Sequence, residues 1–437
     1  MGLKVWNWVT ALGVGGCALT CSVSLGSCGS SIRDGIECEE NIVEARSESS
    51  GGGGVDLSST PLGAVFVTWL EPVARSERIA LRWGRRDSSQ AVESVSLAGA
   101  TILESERLFV NWADFPHVLA LSESNAIVTY LERLGDGKYD YGVRFVCTQD
   151  AGRTWSEPRW LHDHVGPGEH GFVSLAREDD GTAVAVWLDG REMGEGEHGV
   201  TGAMTLRMRA VGVDGRLGPE RLLDPRVCDC CQTDVATVEP GVWLVAYRDR
   251  SEDEVRDIKV LRVTANDLTP VFDSLDRFKF PGCPVNGPAI ATRGHDAALV
   301  WFAPSVQGGG TVRVATSRDD GHTFSAVETL DDNAPSGRVE VCFDRCDETY
   351  SRPSHGYALW LGQGDGQPAW RYARFDPSLT GEQLVSSVSL GTLATTTGER
   401  DLGFPRAVAD WHVFLAAYIS ADPERHIVLH RAGWYIP

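Results

Sequence analysis

The sequence predicts an all-β protein, a β-propeller made of four-stranded antiparallel blades. The chain has 437 residues with 48 Gly and 14 Trp. It shows no long helical periodicity, which favours many short strands joined by turns. A turn segment occurs twice, at residues 148–155 and 317–324. A buried-type strand that ends in an aromatic residue returns seven times, at intervals of 54 to 61 residues. These aromatic residues are Trp69, Tyr130, Trp187, Tyr247, Trp301, Trp360 and Tyr418.

Each aromatic strand is the second of four in its repeat. A short apolar strand precedes it, as at 172–176, a strand containing Arg or Lys follows, as at 206–208, and a weaker edge strand closes the unit, as at 327–330. A four-stranded sheet cannot bury both faces alone, so we expect the units to pack around an axis with the aromatic residues between them. We count seven units and expect seven blades, with six as the alternative.

The two ends of the repeat region need separate interpretation. The innermost strand of the first unit, at 55–59, is weak, and the last unit lacks an outer strand. The segment near 41–45 could supply that strand and close the ring. We assign residues 55–437 to a single propeller domain.

The N-terminus is interpreted as a targeting segment. Lys4 precedes an apolar run through Leu25, and Leu25-Gly26-Ser27-Cys28 has the form of a bacterial lipoprotein cleavage site. Residues 1–27 would then be a signal peptide and Cys28 the lipidated residue, with an ordinary secretory signal as the alternative. Residues 28–54 are rich in Ser, Glu and Gly and are predicted to be a flexible tether. We expect an exported protein of the bacterial cell envelope, lipid-anchored, periplasmic or extracellular, whose cysteines meet an oxidising compartment.

The charge restricts the class of partner. The formal net charge is −21, which argues against nucleic acid or an anionic membrane surface. We therefore expect contact with a membrane only through the lipid anchor. A glycan or another small molecule is the expected ligand, and a monomer is the expected state.

Topology gathers the unusual residues at one face. The repeated turn lies between strands three and four of a blade. The loops that enter strand one, and those that join strands two and three, therefore lie at the opposite end. We call these loops the mouth. They hold His, Cys, Asp and Arg in segments 111–117, 162–172, 189–192, 228–233, 247–257 and 282–288. Loops on a rigid scaffold commonly carry binding and catalytic residues, so we expect the functional site here.

A cysteine cluster suggests one kind of site. Cys228, Cys230 and Cys231 lie within four residues, and Cys283 enters the next blade on the same face. Sulfur ligands favour copper(I) and also suit zinc, although the spacing is not that of a zinc ribbon. A disulfide between one of the three and Cys283, or thiol redox chemistry, are the alternatives. Nearby imidazoles could complete a metal site, from His117, His164 and His170.

Acidic, basic and amide side chains suggest a second kind of site. Arg191, Arg248 and Arg250 could bind a carboxylate through bidentate contacts, or form salt bridges with neighbouring acids. The candidate catalytic residues are Asp114, Glu169, Asp189, Arg191, Arg248 and Arg250. The candidate substrate contacts are Asn111, Trp112, Arg191, Arg248, Arg250 and Asn286. Trp112 could stack on a sugar or serve only in packing.

The repeated turn also carries a family resemblance. It reads Thr-Gln-Asp-Ala-Gly-Arg-Thr-Trp and then Ser-Arg-Asp-Asp-Gly-His-Thr-Phe. The Asp can bond its own backbone and the Gly supplies a positive φ. The motif resembles the Asp-box, or BNR repeat, of the sialidase superfamily, over most of residues 55–437. Six mouth segments resemble a bacterial sialidase-like branch, at 111–116, 169–174, 187–191, 228–233, 247–251 and 283–288.

The resemblance implies a glycoside hydrolase of exo-sialidase type. Sialidases have six blades, an arginine triad, a Tyr nucleophile activated by Glu, and an Asp acid/base. Their Arg-Ile-Pro segment near the first blade is absent here, and no Tyr of this sequence is assigned as the nucleophile. A copper- or zinc-binding propeller and a non-enzymatic surface binding module are the alternative functions.

Overall fold

Seven four-stranded antiparallel sheets form a ring, a seven-bladed β-propeller, in the computed structural model of the protein. The structure describes residues 40–43, 53–86, 100–196, 199–279, 282, 284–305, 309–344, 355–410, 413–421 and 425–433. The predicted number of seven blades is confirmed, and the six-bladed alternative is wrong.

Blades one to three follow the predicted repeat. Blade one contains β2 (Gly53–Ser59), β3 (Val65–Pro72), β4 (Ile79–Arg86) and β5 (Ala100–Ser105). Blade two contains β6 (His117–Ala120), β7 (Ala126–Arg133), β8 (Tyr141–Thr148) and β9 (Arg159–Trp160). Blade three contains β10 (His170–Arg177), β11 (Ala183–Asp189), β14 (Met204–Val211) and β15 (Arg221–Val227). A small hairpin of β12 (Gly194–Gly196) and β13 (Gly199–Thr201) extends its mouth loop.

Blades four to six repeat the same order. Blade four contains β16 (Asp234–Glu239), β17 (Val242–Arg248), β18 (Ile258–Thr264) and β19 (Leu268–Asp273). Blade five contains β20 (Ala289–Arg293), β21 (Asp296–Pro304), β22 (Gly310–Ser317) and β23 (Glu328–Asp331). Blade six contains β24 (Gly337–Phe343), β25 (Gly356–Gly364), β26 (Gln367–Phe375) and β27 (Ser389–Thr395). The short helix α1 (Gly381–Ser387) precedes β27 and buries Leu384.

Blade seven closes the ring with strands from both ends of the chain. It contains β28 (Arg406–Asp410), β29 (Val413–Ser420), β30 (His426–Gly433) and, on the outside, β1 (Glu40–Val43). β1 pairs antiparallel with β30, from Glu40 opposite Ala432 to Val43 opposite Leu429. The predicted closing strand is therefore confirmed. The predicted tether, residues 28–54, is therefore partly in the domain, because it contains β1 and the first two residues of β2, Gly53 and Gly54. No helix within the described residues is long and apolar enough to cross a membrane.

Side chains of the innermost strands join neighbouring blades. The innermost strands contact one another in sequence around the axis, from β2 through β6, β10, β16, β20 and β24 to β28 and back to β2. The Val118 amide donates to Asp56 Oδ2 at 2.8 Å, and the Ile290 amide donates to Asp234 Oδ2 at 2.7 Å. Buried carboxylates thus satisfy strand amides that have no partner within their own sheet.

The repeat aromatics fill the space between blades. All seven are at most 5% exposed. Several of their polar atoms donate to acidic side chains, as Trp187 Nε1 does to Asp189 at 2.8 Å and the Tyr247 hydroxyl does to Asp224 at 2.6 Å. These acidic partners satisfy the buried donors of Trp187 and Tyr247, whereas the buried Tyr130 hydroxyl has no hydrogen-bond partner among the described residues.

The two repeated turns have the same hydrogen bonds. In the first, Asp150 Oδ1 accepts from the Thr154 amide at 2.9 Å, and the Gly152 amide donates to Thr148 Oγ1 at 2.9 Å. In the second, Asp319 makes the same bond with Thr323 at 2.9 Å. Both turns join strands three and four of their blades, at the end of the ring away from the mouth.

Candidate functional site

The mouth loops bring three groups of side chains together within the described residues. One lies at the entrance of blade three, one at the entrance of blade four, and one beside the axis. The groups are Asp114, Tyr141 and Glu169 with three histidines; Cys228 and Cys231 with two arginines; and Trp112 with Phe404, Arg338 and Arg400.

A phenol joins two carboxyl groups at the entrance of blade three. Tyr141, the first residue of β8, donates its hydroxyl hydrogen to Glu169 Oε1 at 2.5 Å, and Asp114 Oδ2 lies 3.5 Å from the same oxygen. The Tyr141 ring is fully buried and stacks on Phe109 with centroids 4.1 Å apart. A Cβ at Gly171 would lie 1.9 Å from Asp114 Oδ2, so the close approach of this carboxyl requires glycine.

Burial controls the protonation of this cluster. Loss of solvation raises the pKa of Asp114 well above its ordinary value, and it raises the pKa of Glu169 to about 7, with a further rise from the Asp229 carboxylate. Burial also raises the pKa of Tyr141, which keeps its hydrogen. Among the described residues, Asp114 Oδ1 has no hydrogen-bond partner. Glu169 is partly exposed at the mouth, so it can exchange a proton with a ligand near neutral pH.

Three histidines pack behind this cluster. The His162 and His170 rings stack at 4.1 Å, and His164 Nδ1 lies 3.2 Å from His170 Nε2. The Val143 amide donates to His162 Nε2, which leaves Nδ1 to donate to the His164 carbonyl at 2.6 Å. Burial lowers the pKa of His162 to about 3 and also lowers that of His170. His162 and His170 are therefore neutral imidazoles beside the carboxyl groups.

Asp189 and Arg191 form an internal ion pair beside the histidines. Arg191 donates from Nε and Nη2 to the two Asp189 oxygens at 2.7 and 2.6 Å, and its Nη1 lies 2.9 Å from Glu220. Burial opposes ionisation of Asp189, but the hydrogen bonds from Arg191 keep its pKa below the ordinary value. Both side chains are thus engaged with protein groups.

The other two candidate arginines are also engaged. Arg248 is 1% exposed and donates to the backbone carbonyls of Arg256, Asn286 and Phe302. Arg250 donates to Glu254 at 2.8 Å and to Asp229 at 2.9 Å. From the sequence, these arginines could bind the carboxylate of a ligand or form salt bridges with neighbouring acids. The structure shows them in contact with groups of the protein itself.

The cysteines divide into a disulfide and a pair of thiols. Cys230 is disulfide-bonded, whereas Cys228 and Cys231 are thiols outside any disulfide, with sulfur atoms 3.4 Å apart. Cys283, the fourth predicted sulfur ligand, lies outside the described residues. The predicted imidazole ligand His117 lies by the axis, 3.5 Å from Asp56, and not with His164 and His170. No group of three potential metal ligands occurs in the part of the chain that the structure describes.

The candidate substrate contacts lie closer to the axis. Trp112 is partly exposed, stacks on Phe404 at 6.1 Å and has the Arg338 guanidinium 5.3 Å above its ring. Asn111 Oδ1 accepts from the Ala113 amide, and Asn286 Oδ1 accepts from the Arg338 amide. The two asparagines therefore hold loops in place, while Trp112 presents part of a ring to the mouth.

A small axial cavity with buried charges was not predicted. Its volume is about 170 Å³. Arg406 binds Asp56 and Glu340 there, each at 2.6 Å, and burial raises the pKa of Glu340 to about 8 and that of Asp234 to about 6. These residues belong to the innermost strands, which the sequence predicts only as short apolar strands. Tyr141 and Asp229 were likewise not among the candidates.

Comparison of the sequence with models of known families and with curated proteins gave no match. Among solved structures, the polysaccharide lyase Uly1 matches with 10% identity, covering 90% of this chain and 92% of that chain, at a TM-score of 0.52. A protein of unknown function from Dyadobacter fermentans matches with 13% identity over 92% and 100% of the two chains, at a TM-score of 0.48. The α-L-arabinofuranosidase Arb93A from Fusarium graminearum matches with 9% identity over 87% and 93%, at 0.49. The likeness to Uly1 shows a shared fold.

Proposed function

We propose that the protein is an exported glycan-active enzyme, with Glu169 at the mouth as its general acid and base. The observation that carries the proposal is the Tyr141–Glu169 hydrogen bond of 2.5 Å beside a second carboxyl group, Asp114. Cleavage of a glycosidic bond needs a proton donor for the leaving oxygen, and a donor works best when its pKa is close to the working pH. The pKa of Glu169, about 7, meets that requirement.

The neighbours of Glu169 support the same chemistry. Its carboxyl is partly exposed, whereas Asp114 is 1% exposed and Tyr141 is fully buried. We therefore assign proton transfer to Glu169 and positioning to Tyr141, whose hydroxyl fixes the carboxyl and favours its charged form after proton transfer. Asp229 raises the pKa of Glu169 and is the candidate second carboxylate. Two carboxyl groups held in different protonation states are the usual requirement of glycoside hydrolysis.

The Asp-box resemblance supports a glycan as the substrate class. A Tyr–Glu pair is also the catalytic pair that sialidases use. The proposal departs from sialidases in two respects. Tyr141 is too deeply buried to attack a substrate, and Arg191, Arg248 and Arg250 bind protein groups. We propose Trp112 as a stacking surface for a sugar ring.

The location and state of the protein belong to the same proposal. The lipoprotein-type signal at residues 1–27 supports export, with a lipid on Cys28 and the domain acting as a monomer at the cell envelope. Fractionation of cells expressing the full chain tests this, because Cys28→Ala should move the protein from the membrane to the soluble fraction. Equal membrane association of the variant would contradict the anchor.

The experiment for the activity is a substrate screen of the mature chain. Hydrolysis of an aryl glycoside is followed by the fluorescence of the released group. Cleavage of an acidic polysaccharide by elimination is followed by ultraviolet absorbance. Glu169→Gln should lower kcat about 10²–10⁴-fold, and kcat/KM of the wild type should fall as the pH rises above about 7. Glu123→Gln, on the opposite face beside Leu62 and Arg85, is the matched control and should keep full activity.

The outcomes separate the competing functions. Turnover that survives Glu169→Gln would overturn the assignment of the proton donor. Glycan binding without turnover by any substrate class would favour the binding-module alternative, and Trp112→Ala should then weaken that binding. Neither binding nor turnover across the screen would overturn the proposed function.

A further inference from the structure

Two cysteine thiols that are not disulfide-bonded lie in contact at the entrance of blade four. The sulfur atoms of Cys228 and Cys231 are 3.4 Å apart, and the two residues are 1% and 2% exposed. Cys230 lies between them in the sequence but is engaged in a disulfide. Cys228 and Cys231 thus form a pair with Cys-x-x-Cys spacing, at which a local disulfide can close without a change of fold.

A guanidinium group faces one sulfur of the pair. Arg256 Nη1 lies 3.1 Å from Cys228 Sγ in donor geometry, while its Nη2 binds Glu254 at 2.7 Å. The Cys228 amide donates to the carbonyl of Arg248, whose own side chain is buried close by. A fixed cation in contact with a buried sulfur stabilises the thiolate, the nucleophilic form.

We propose that Cys228 is a peroxide-reactive cysteine and that Cys231 is its resolving partner. The Cys228 thiolate attacks one oxygen of a hydroperoxide, the O–O bond breaks, and the leaving oxygen takes up a proton and departs as an alcohol or water. Cys228 becomes a sulfenic acid. The Cys231 sulfur then attacks Cys228, the S–S bond forms, the S–O bond breaks, and water leaves. Two thiols and one hydroperoxide give one disulfide, one water and one alcohol or second water.

Burial determines which oxidant can react. Cys228 and Cys231 are 1% and 2% exposed, so we expect a small oxidant such as hydrogen peroxide to reach their sulfur atoms through local motion of the loops, and bulky thiol reagents to be excluded. The chain also provides two reference thiols, because Cys147 and Cys342 are free and lie elsewhere in the ring. Burial raises the pKa of Cys147 to about 11 and raises that of Cys342. These two should therefore react slowly under the same conditions.

The experiment is a peroxide titration of the folded mature chain. Samples are quenched, unfolded, alkylated and mapped by peptide mass spectrometry. One equivalent of hydrogen peroxide should remove the Cys228 and Cys231 thiols together, as an internal disulfide that lacks two hydrogens. Loss of Cys228 should be at least about tenfold faster than loss of Cys147, and a maleimide should not label Cys228 before unfolding.

Variants assign the two roles. Cys231→Ser should trap a sulfenic acid on Cys228, detected as a dimedone adduct, and Cys228→Ser should leave Cys231 as slow as Cys147. Equal rates for Cys228 and Cys147 in the wild type would overturn the proposal without any variant. So would a Cys231→Ser protein that consumes peroxide without a dimedone adduct on Cys228. The inference does not rest on the proposed glycan activity.

Discussion

Replacing Glu169 by glutamine should remove a pH-dependent loss of stability. In the folded protein burial raises the pKa of Glu169 from 4.5 to about 7. The native state therefore binds more protons than the unfolded state between these values, and stability falls as the pH rises through this window. A shift of 2.5 pKa units corresponds to about 3.4 kcal/mol. Because Glu169 is partly exposed, solvent screening reduces this value, and we expect the free energy of unfolding to fall by about 2 kcal/mol across the window.

Urea unfolding followed by tryptophan fluorescence measures this effect. The wild type and Glu169→Gln are compared at pH 5 and at pH 8, so that all other titrating groups cancel in the double difference. The wild type should lose about 2 kcal/mol more than the variant on going from pH 5 to pH 8. The same loss in both proteins would refute the reasoning. If Asp114→Asn removes the pH dependence and Glu169→Gln does not, the group that titrates in this window is Asp114 and not Glu169.

Three further predictions concern the ring and the mouth. Gly152→Ala should lower the free energy of unfolding by about 2–4 kcal/mol in urea titration, because its φ is +83° and the new methyl group would meet an indole ring. Arg406→Met should cost about 3–5 kcal/mol by the same assay, because Asp56 and Glu340 would be left buried without their cation. Protein purified without chelator should contain no stoichiometric copper or zinc by mass spectrometry, because the disulfide at Cys230 removes one of the predicted sulfur ligands.

Matched variants control these predictions. Gly241 has φ +77° and no atom within 4 Å of an added Cβ, so Gly241→Ala should cost only about 1 kcal/mol of backbone strain. An equal cost at Gly152 would contradict a clash with Trp83. Arg82→Met removes a partly exposed ion pair with Glu71 and should cost less than about 1 kcal/mol. One equivalent of metal that disappears in Cys228→Ser would contradict the third prediction.

The ring could be predicted because its signal is periodic. Each blade places one large aromatic residue in the same position, as Trp187 and Trp301 do in blades three and five, where both are fully buried. Burial at this interval follows from the repetition of one four-stranded unit and needs no knowledge of distant contacts. The closing strand followed from the same count, because the last repeat lacked one strand that β1 supplies.

The partners within the mouth could not be predicted, because they depend on distances between loops. The sequence shows Arg191 next to several acids, but only the fold brings Glu220 to 2.9 Å from it. Arg248 binds backbone carbonyls, which carry no mark in a sequence. Tyr141 was overlooked because the start of a third strand resembles any other buried strand residue. Only the approach of Asp114 and Glu169 from two other loops gives its hydroxyl a role.

The closure of the ring also determines how the domain responds to force. β1 is joined to the rest of blade seven through β30, over four residue pairs. Tension applied at the N-terminus reaches the domain first through this strand and loads its hydrogen bonds with β30. Detachment of β1 would leave blade seven with three strands, while β2 of blade one would still contact β28 and β29. The same four residues therefore attach the N-terminal segment and complete blade seven, so strain on the attachment acts directly on the outer edge of that blade.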